Sequence, residues 1–296
     1  MSRKILLPHE HVFSKHRSSD REAVETFLRN ALKQVSEFGI SDIVDLTAYV
    51  NPLPFLSMIN GSGVRVHACI GFYLDNYVRR DLRSKSVPEL VRLLMGRYER
   101  YSKQVHVAGI KVAARHEKLN DFENRAFRAV SCCQEMTGLP VITHSPDGAR
   151  AHQLKLMELG VPANRILLSH PEFSLKGRNK IPAEEVYGNL KEIVEDGSWV
   201  CITDVYSEYS RADARVLDMV TALINLGLSD RVLISGDVSW RAHRSACDFR
   251  GTNRNAELGF LLGISAASKL RSRGVGEKII RQIYEENPFE FYGIIP

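Results

Sequence analysis

The sequence predicts an α/β fold, a single-domain (β/α)8 TIM barrel over residues 1–296 with its active site at the C-terminal ends of the strands. Three observations predict it. Short β-branched runs alternate with amphipathic stretches from one end of the chain to the other, the pattern of parallel strands joined by crossover helices. Eight such runs fit into 296 residues, an ordinary length for a closed eight-fold barrel. No linker rich in proline, glycine or serine divides the chain, and there is no low-complexity segment or short-period repeat. The competing architecture, a doubly wound sheet, would carry G-x-G-x-x-G after its first strand, and that motif is missing.

In order, the candidate strands are 4–9, 41–46, 64–69, 107–113, 140–144, 165–170, 199–204 and 231–236. The first helix runs from Asp20 to Phe38 and stops at Gly39. A second begins near Asn120, with Glu123 three residues on as in a capping box, and stops at Gly138 before Pro140. Later helices end at Gly160, at Gly197 after starting with Pro182 in the first turn, and at Gly227 after covering about 211–226. Glycine just past a helix is the expected left-handed cap. The loops after the third strand (71–87), the sixth (171–181) and the eighth (237–253) are long, and in a barrel all three lie on the catalytic face.

The fourth strand, Ala108-Gly109-Ile110-Lys111-Val112-Ala113-Ala114, organises the rest. Side chains alternate on a strand, so Ile110 and Val112 face one way and Gly109, Lys111 and Ala113 the other. A lysine between two small neighbours in an apolar strand must be paired, chemically changed, or snorkel its amine to water. The ends of four other strands argue against snorkelling. The first closes on Leu7-Pro8-His9-Glu10-His11, whose two histidines share a face. The fifth closes on His144, the sixth on His170 and the eighth on Asp237. Each residue alone has a structural explanation: a hydrogen-bonded histidine, or an aspartate that caps a helix or forms a turn. In a barrel all six converge on one mouth, and imidazole with carboxylate suits zinc, manganese, iron or cobalt.

Composition narrows the classes. Hydrophobic residues are 44% and charged residues 25%, the balance of a globular protein with a sizeable core. No apolar run is long enough to span a membrane, and Ile5-Leu6-Leu7 is too short for a signal peptide, so the expectation is cytoplasmic. Five cysteines, an odd count without C-x-x-C, read as free thiols. A net charge of +5 hints at anionic substrates but is too weak to argue nucleic acid.

The order H-x-H, lysine, histidine, histidine, aspartate resembles the phosphotriesterase-like family of the amidohydrolase superfamily. So do Gly71-Phe72-Tyr73, the run from Ala108 to Ala114, Met136-Thr137-Gly138-Leu139-Pro140 before His144, and Glu286-Asn287-Pro288-Phe289. The resemblance covers nearly the whole chain. It implies two divalent metals, zinc first with manganese, cobalt or iron as alternatives. His9, His11 and Asp237 would hold the more buried ion, and His144 and His170 the more exposed one. Lys111 would bridge them after carbamylation by carbon dioxide. It also implies a homodimer. Two dications, an aspartate, a carbamate and a bridging hydroxide leave a centre of about +1. The hydroxide would attack, the exposed metal would polarise the acceptor, and Asp237 would pass the proton to the leaving group.

Departures from the family pattern narrow the reaction. Pro171-Glu172-Phe173 follows His170 where members often have aspartate, and Asp204-Val205-Tyr206 lacks the histidine of organophosphate-hydrolysing members. Phe13 stands where the dihydroorotase branch has arginine. The resulting expectation is a lactonase or esterase for a small, anionic lactone such as a phosphorylated sugar lactone. Triester or amide hydrolysis on the same site is the alternative. Lys176, Arg178, Arg241 and Arg244, with Arg250, are candidate anion contacts because arginine forks match carboxylate and phosphate, though long loops carry charge in any case. Tyr73 and Trp240 are candidate pocket walls, and His243 a weaker one. Two other classes compete. A ligand-binding barrel without turnover should have lost a ligand, and none is lost. A metal-dependent nuclease would want a basic stripe with stacking aromatics.

Overall fold

The computed structural model describes residues 4–13, 20–175, 182–203, 211–242, 247–250 and 256–296. Eight parallel strands pair in sequence order. They are β1 (Ile5–Glu10), β2 (Ile40–Asp45), β3 (Arg65–Gly71), β4 (Val107–Ala113), β5 (Val141–His144), β6 (Ile166–Ser169), β7 (Trp199–Ile202) and β8 (Val232–Ile234). Helices α1 (Arg21–Glu37), α2 (Leu53–Ile59), α3 (Arg80–Arg83), α4 (Val87–Tyr101), α5 (Asp121–Thr137), α6 (Ala149–Glu158), α7 (Ala183–Glu195), α8 (Arg211–Asn225) and α9 (Leu262–Ser272) pack around them. The α/β alternation therefore closes into the expected (β/α)8 barrel.

Local chemistry sets the boundaries. Asp20 caps α1 by accepting from the Ala23 N–H at 2.9 Å. Asn120 and Glu123 form the reciprocal box at the start of α5, and Gly138 ends that helix at φ 68°. Pro182 is the cap of α7 and not a first-turn residue. The eighth loop, expected to be irregular, carries a hairpin of β9 (Ser239–Ala242) against β10 (Cys247–Arg250).

Inside the barrel, alternation stacks two layers. Val44, Cys69, Ile142, Leu167, Cys201 and Leu233 form an apolar floor. Two residues further along four of these strands stand His144, Ser169, Thr203 and Ser235, so the polar site is the layer directly above the core. Below the floor, the segment of α10 (Glu277–Arg281), a π turn (Gln282–Glu286) and α11 (Asn287–Tyr292) plugs the barrel. Phe289, Phe291 and Tyr292 pack against the floor, and the Tyr292 hydroxyl donates to the Pro8 carbonyl at 2.7 Å.

One buried side chain stitches the seam between β1 and β8. The Glu10 carboxylate accepts from Gly236 N at 2.7 Å, Val238 N at 2.7 Å and Ser235 Oγ at 2.8 Å. Asp237 N–H donates to the His9 carbonyl at 3.1 Å, and His11 N–H to the Val238 carbonyl at 2.9 Å. Glu10 thus fixes the backbone on both sides of Asp237 from its own place between His9 and His11. Burial pushes its carboxyl up to about 8 despite these three donors.

Candidate metal centre

The six predicted ligands meet at one cavity of about 270 Å³, lined by His11, Thr47, Tyr49, Tyr73, Tyr77, Lys111, His144, His170, Asp237 and Ser239. His9 lies just beneath. Its Nε2 is 3.5 Å from Asp237 Oδ1, and His11 Nε2 is 3.0 Å from the same oxygen. The ring of His170 sits 4.7 Å from His9 and 4.5 Å from His144, centre to centre. Ligand atoms of His9, His170 and Asp237 all lie within 4.8 Å of one another.

Backbone shape explains two of these positions. The expected strands 165–170 and 231–236 stop short, at Ser169 and Ile234. His170 and Asp237 stand beyond the ladder at φ 70° and 48°, and they are the non-glycine residues with positive φ among those described. Such strain persists only where the surroundings over-determine it. On β1 the register slips between Leu7 and Glu10, which turns His9 inward.

Lys111 is 1% exposed and points inward from β4, while Ile110 and Val112 pack on the outer side. A side chain at Gly109 would collide with Ile142 Cδ1 at 2.3 Å, so glycine makes the room beneath the lysine. Gly71, at φ 141°, lets the end of β3 press against Lys111; a Cβ there would lie 2.0 Å from the Lys111 carbonyl oxygen. The ammonium is 5.2 Å from the centre of the Tyr73 ring and has no carboxylate partner within 4.0 Å among the described residues. Burial lowers its pKa, with Asp237 opposing.

Hydroxyls hold the imidazoles from behind. Glu172 Oε1 accepts from both Thr203 N and Thr203 Oγ1 at 2.8 Å. The single Thr203 proton is therefore committed, and its oxygen can only accept from His170 Nδ1 at 2.7 Å. That leaves His170 Nε2 with a lone pair facing the cavity. The same logic fixes His11. Thr47 Oγ1 donates to Asp45 Oδ2 at 3.2 Å and accepts from His11 Nδ1 at 2.8 Å. His9 Nδ1 meets Ser169 Oγ at 3.1 Å.

This arrangement fits metal ions. With Nδ1–H engaged, His11 Nε2 presents a lone pair to an Asp237 oxygen 3.0 Å away. Two acceptors at that distance require a positive charge between them, either a second ring proton or a metal. His9 Nε2 is buried without a hydrogen-bond partner. Burial, reinforced by neighbouring cations, holds His9 and His144 well below the usual imidazole range, and burial brings His170 to about 4. Neutral rings are the form that binds metal. Burial alone would raise the Asp237 carboxyl, but His170, His11 and His9 outweigh it and hold it well below the usual range.

The other candidates are scattered. Tyr73 lines the cavity, its ring 5.1 Å from His144. Arg241 does not: its guanidinium grips Asp248 across the hairpin at 3.0 Å, on the exposed side. Trp240 is core, 1% exposed, and its indole N–H donates to the Val12 carbonyl at 2.9 Å. Lys176, Arg178, Arg244 and His243, with Asp204, Val205 and Tyr206, lie outside the described residues. Sequence reasoning missed Thr47, Ser169 and Thr203. Their only signal was a small hydroxyl residue at or just past a strand end.

The sequence profile of the Phosphotriesterase family matches residues 5–292. The chain belongs to the phosphotriesterase family. It is a hydrolase of that generally binuclear, metal-dependent family. The Phosphotriesterase homology protein of Escherichia coli is 23% identical over 274 residues, 90% of this chain and 88% of that protein. A solved structure of the E. coli Phosphotriesterase homology protein, with phosphate in the active site, aligns over 99% of both chains with a TM-score of 0.78 at 20% identity. The Aryldialkylphosphatase of Saccharolobus solfataricus is 24% identical, covering 89% of this chain and 84% of that protein. A mutant of a Deinococcus radiodurans PTE-like lactonase aligns over 98% of this chain and 95% of that one, with a TM-score of 0.76 at 22% identity.

Proposed function

We propose that this family member is a binuclear metal-dependent lactonase or esterase acting on a small substrate. One observation carries the reading: His11, Lys111, His144, His170 and Asp237 line a single cavity with His9 just beneath, and three of the rings are braced from behind by hydroxyls. His9, His11 and Asp237 would hold one ion, His144 and His170 the other, and Lys111, as its carbamate, would lie between them. Carbamylation turns the stranded ammonium into an anionic ligand, which answers why a lysine is buried there. When bound, two zinc or manganese ions supply an activated water and polarise the scissile carbonyl.

The chain's own groups do the rest. Asp237, one-third exposed at the cavity floor, is kept ionised and can take a proton on its free carboxylate oxygen and hand it to the departing oxygen. The substitution of Glu172 for the family's frequent aspartate leaves the bracing of His170 intact, because Glu172 reaches it through Thr203. A cavity of about 270 Å³ has room for a small lactone ring.

The test is a paired rate on protein loaded with zinc or manganese. A five-carbon sugar lactone is offered with and without its 5-phosphate, and Asp237→Asn serves as the blank. Hydrolysis lost in the variant supports the reading. No hydrolysis of either lactone by fully loaded protein shifts the assignment to neutral acyl lactones, amides and carboxylate esters.

A further inference from the structure

Below the apolar floor, on the side away from the cavity, two imidazoles face one another. His67 stands on β3 two residues before the floor residue Cys69, and His106 immediately precedes β4. Their Nδ1 atoms are 3.0 Å apart, and the rings meet at 90° with centres 5.0 Å apart. Backbone pairing brings them together. Ala68 N–H donates to the His106 carbonyl at 2.9 Å, and Val107 pairs with Ala68, which puts His106 on the same side of the sheet as His67. Further along, Gly109 pairs with Cys69, so Ala108 is an extra, bulged residue. Strict alternation would send His106 and Lys111 to opposite faces. The bulge lets β4 turn both to the inner side.

Asp42 of β2 stands behind the pair. Its buried carboxylate accepts from His67 Nε2 at 2.8 Å, from the Arg65 guanidinium at 2.8 and 2.9 Å, and from Ser41 Oγ at 2.7 Å. Burial would raise this carboxyl, but the hydrogen bonds from His67, Arg65 and Ser41 outweigh it and lower its pKa. An ionised carboxylate only accepts, so a neutral His67 carries its proton on Nε2 and turns an Nδ1 lone pair toward His106. A histidine whose far nitrogen donates to a carboxylate is the arrangement that fixes ring and tautomer in metal-ligating imidazoles. Desolvation lowers the His106 pKa, with His67 and Arg65 adding to it and Asp42 opposing. Its ring is therefore neutral at pH 7, the form that binds metal.

We propose that His67 Nδ1 and His106 Nδ1 chelate a divalent transition-metal ion, zinc or copper, with Asp42 holding His67 from behind and water in the remaining positions. Two imidazole nitrogens on one tetrahedral zinc, each at about 2.0–2.1 Å, stand about 3.3 Å apart. The observed 3.0 Å needs to open by only about 0.3 Å. The proton now lying between the rings moves to His106 Nε2 on that residue's exposed side, so both rings stay neutral. Imidazole is the ligand that zinc and copper favour, and the Arg65 charge nearby is already offset by its pairing with Asp42. The ion would tie β3 to the start of β4. This site does not rest on the function proposed above.

The experiment dialyses chelator-stripped wild type, His106→Ala, His67→Gln and the double variant against one zinc series and reads bound zinc by emission spectrometry. Glutamine at position 67 can still donate to Asp42 while the Nδ1 ligand is lost. At saturation wild type should hold one zinc per chain more than either single variant, and the double variant should lose that same single equivalent. Because a difference in stoichiometry is read, the number of ions in the cavity does not enter. Equal zinc in wild type and His106→Ala overturns the proposal. So does a loss in His106→Ala with none in His67→Gln, which marks a contact made by one surface histidine. Loss of two equivalents in the double variant overturns it as well, because the rings would then bind separately. If His67→Gln does not fold, nitrogen-15 spectra of histidine-labelled wild type decide. Zinc should shift the Nδ1 signal of His106, identified by its absence in His106→Ala, together with that of a second histidine that stops responding in that variant. A response from His106 alone overturns the proposal.

Discussion

Replacing Thr203 with valine tests how the site is held, because it removes one hydroxyl and keeps the shape. That hydroxyl makes two buried hydrogen bonds, to Glu172 Oε1 at 2.8 Å and from His170 Nδ1 at 2.7 Å. Losing both should destabilise the metal-free protein by about 2–4 kcal/mol, since each bond is worth about 1–2 kcal/mol in a buried, carboxylate-linked setting. The metal effect is separate. With Nδ1–H unpartnered, the His170 ring is no longer confined to the tautomer and angle that aim Nε2 at the cavity. Loss of such a partner costs about 10- to 100-fold in metal affinity or activity. Urea unfolding of metal-free protein measures the first quantity, and competition with a chromophoric chelator the second. Thr203→Ser, which keeps the hydroxyl, should behave nearly as wild type. A valine variant that holds its metals within about 2-fold of wild type would refute the bracing argument.

Lys111→Met should leave metal-free protein as stable as wild type or more stable by about 1 kcal/mol, because an unpaired buried ammonium is removed. It should also abolish binding of the full metal complement, and plasma emission spectrometry reads that directly; undiminished metal content would count against Lys111 as a ligand. Gly71→Ala should cost about 3 kcal/mol or more in thermal or urea unfolding, because a Cβ would lie 2.0 Å from the Lys111 carbonyl oxygen in a backbone conformation that only glycine adopts freely. Acid should weaken the fold through His152, which is buried on α6 and held neutral down to about 4 from an ordinary 6.5. Its Nε2–H donates to the His116 carbonyl and its Nδ1 accepts from Ser145 Oγ. Between pH 6.5 and about 4 the unfolded chain binds the extra proton and the folded one does not, so stability falls as pH falls, by about 3 kcal/mol in all. Unfolding at pH 7 and 4.5 should show about 2–3 kcal/mol less loss in His152→Leu than in wild type, because His9, His144 and His170 are also buried neutral and weaken both proteins alike; equal losses would refute it.

The barrel and the convergence of six side chains at its mouth were legible in the sequence because both rest on local signals. Strand periodicity marked the elements; the histidines and Asp237 stood at the ends of apolar runs and Lys111 within one. What stayed hidden depends on contacts far apart in the chain. Glu10 looked like a spacer between two histidines, yet it closes the barrel onto residues 225 to 228 positions away. Thr47 and Thr203 carry no pattern of their own, and only the folded barrel brings their hydroxyls behind His11 and His170. The same limit misled the choice of Arg241. Arg241 was favoured for its nearness to Asp237 in sequence, but the hairpin turns it toward Asp248. The ends of the sixth and eighth strands were placed too late, because β-branched composition does not reveal that His170 and Asp237 adopt positive φ.

Under the proposed function these six side chains would hold two metals that hydrolyse a carbon–oxygen ester bond. The most direct test titrates zinc or manganese into chelator-stripped protein while recording lactone hydrolysis, for wild type and Asp237→Asn together. The account predicts that activity rises with metal and saturates at two equivalents per chain in wild type, and that the variant loses turnover. Activity that survives stripping, or a variant that hydrolyses the lactone as fast as wild type, would contradict it.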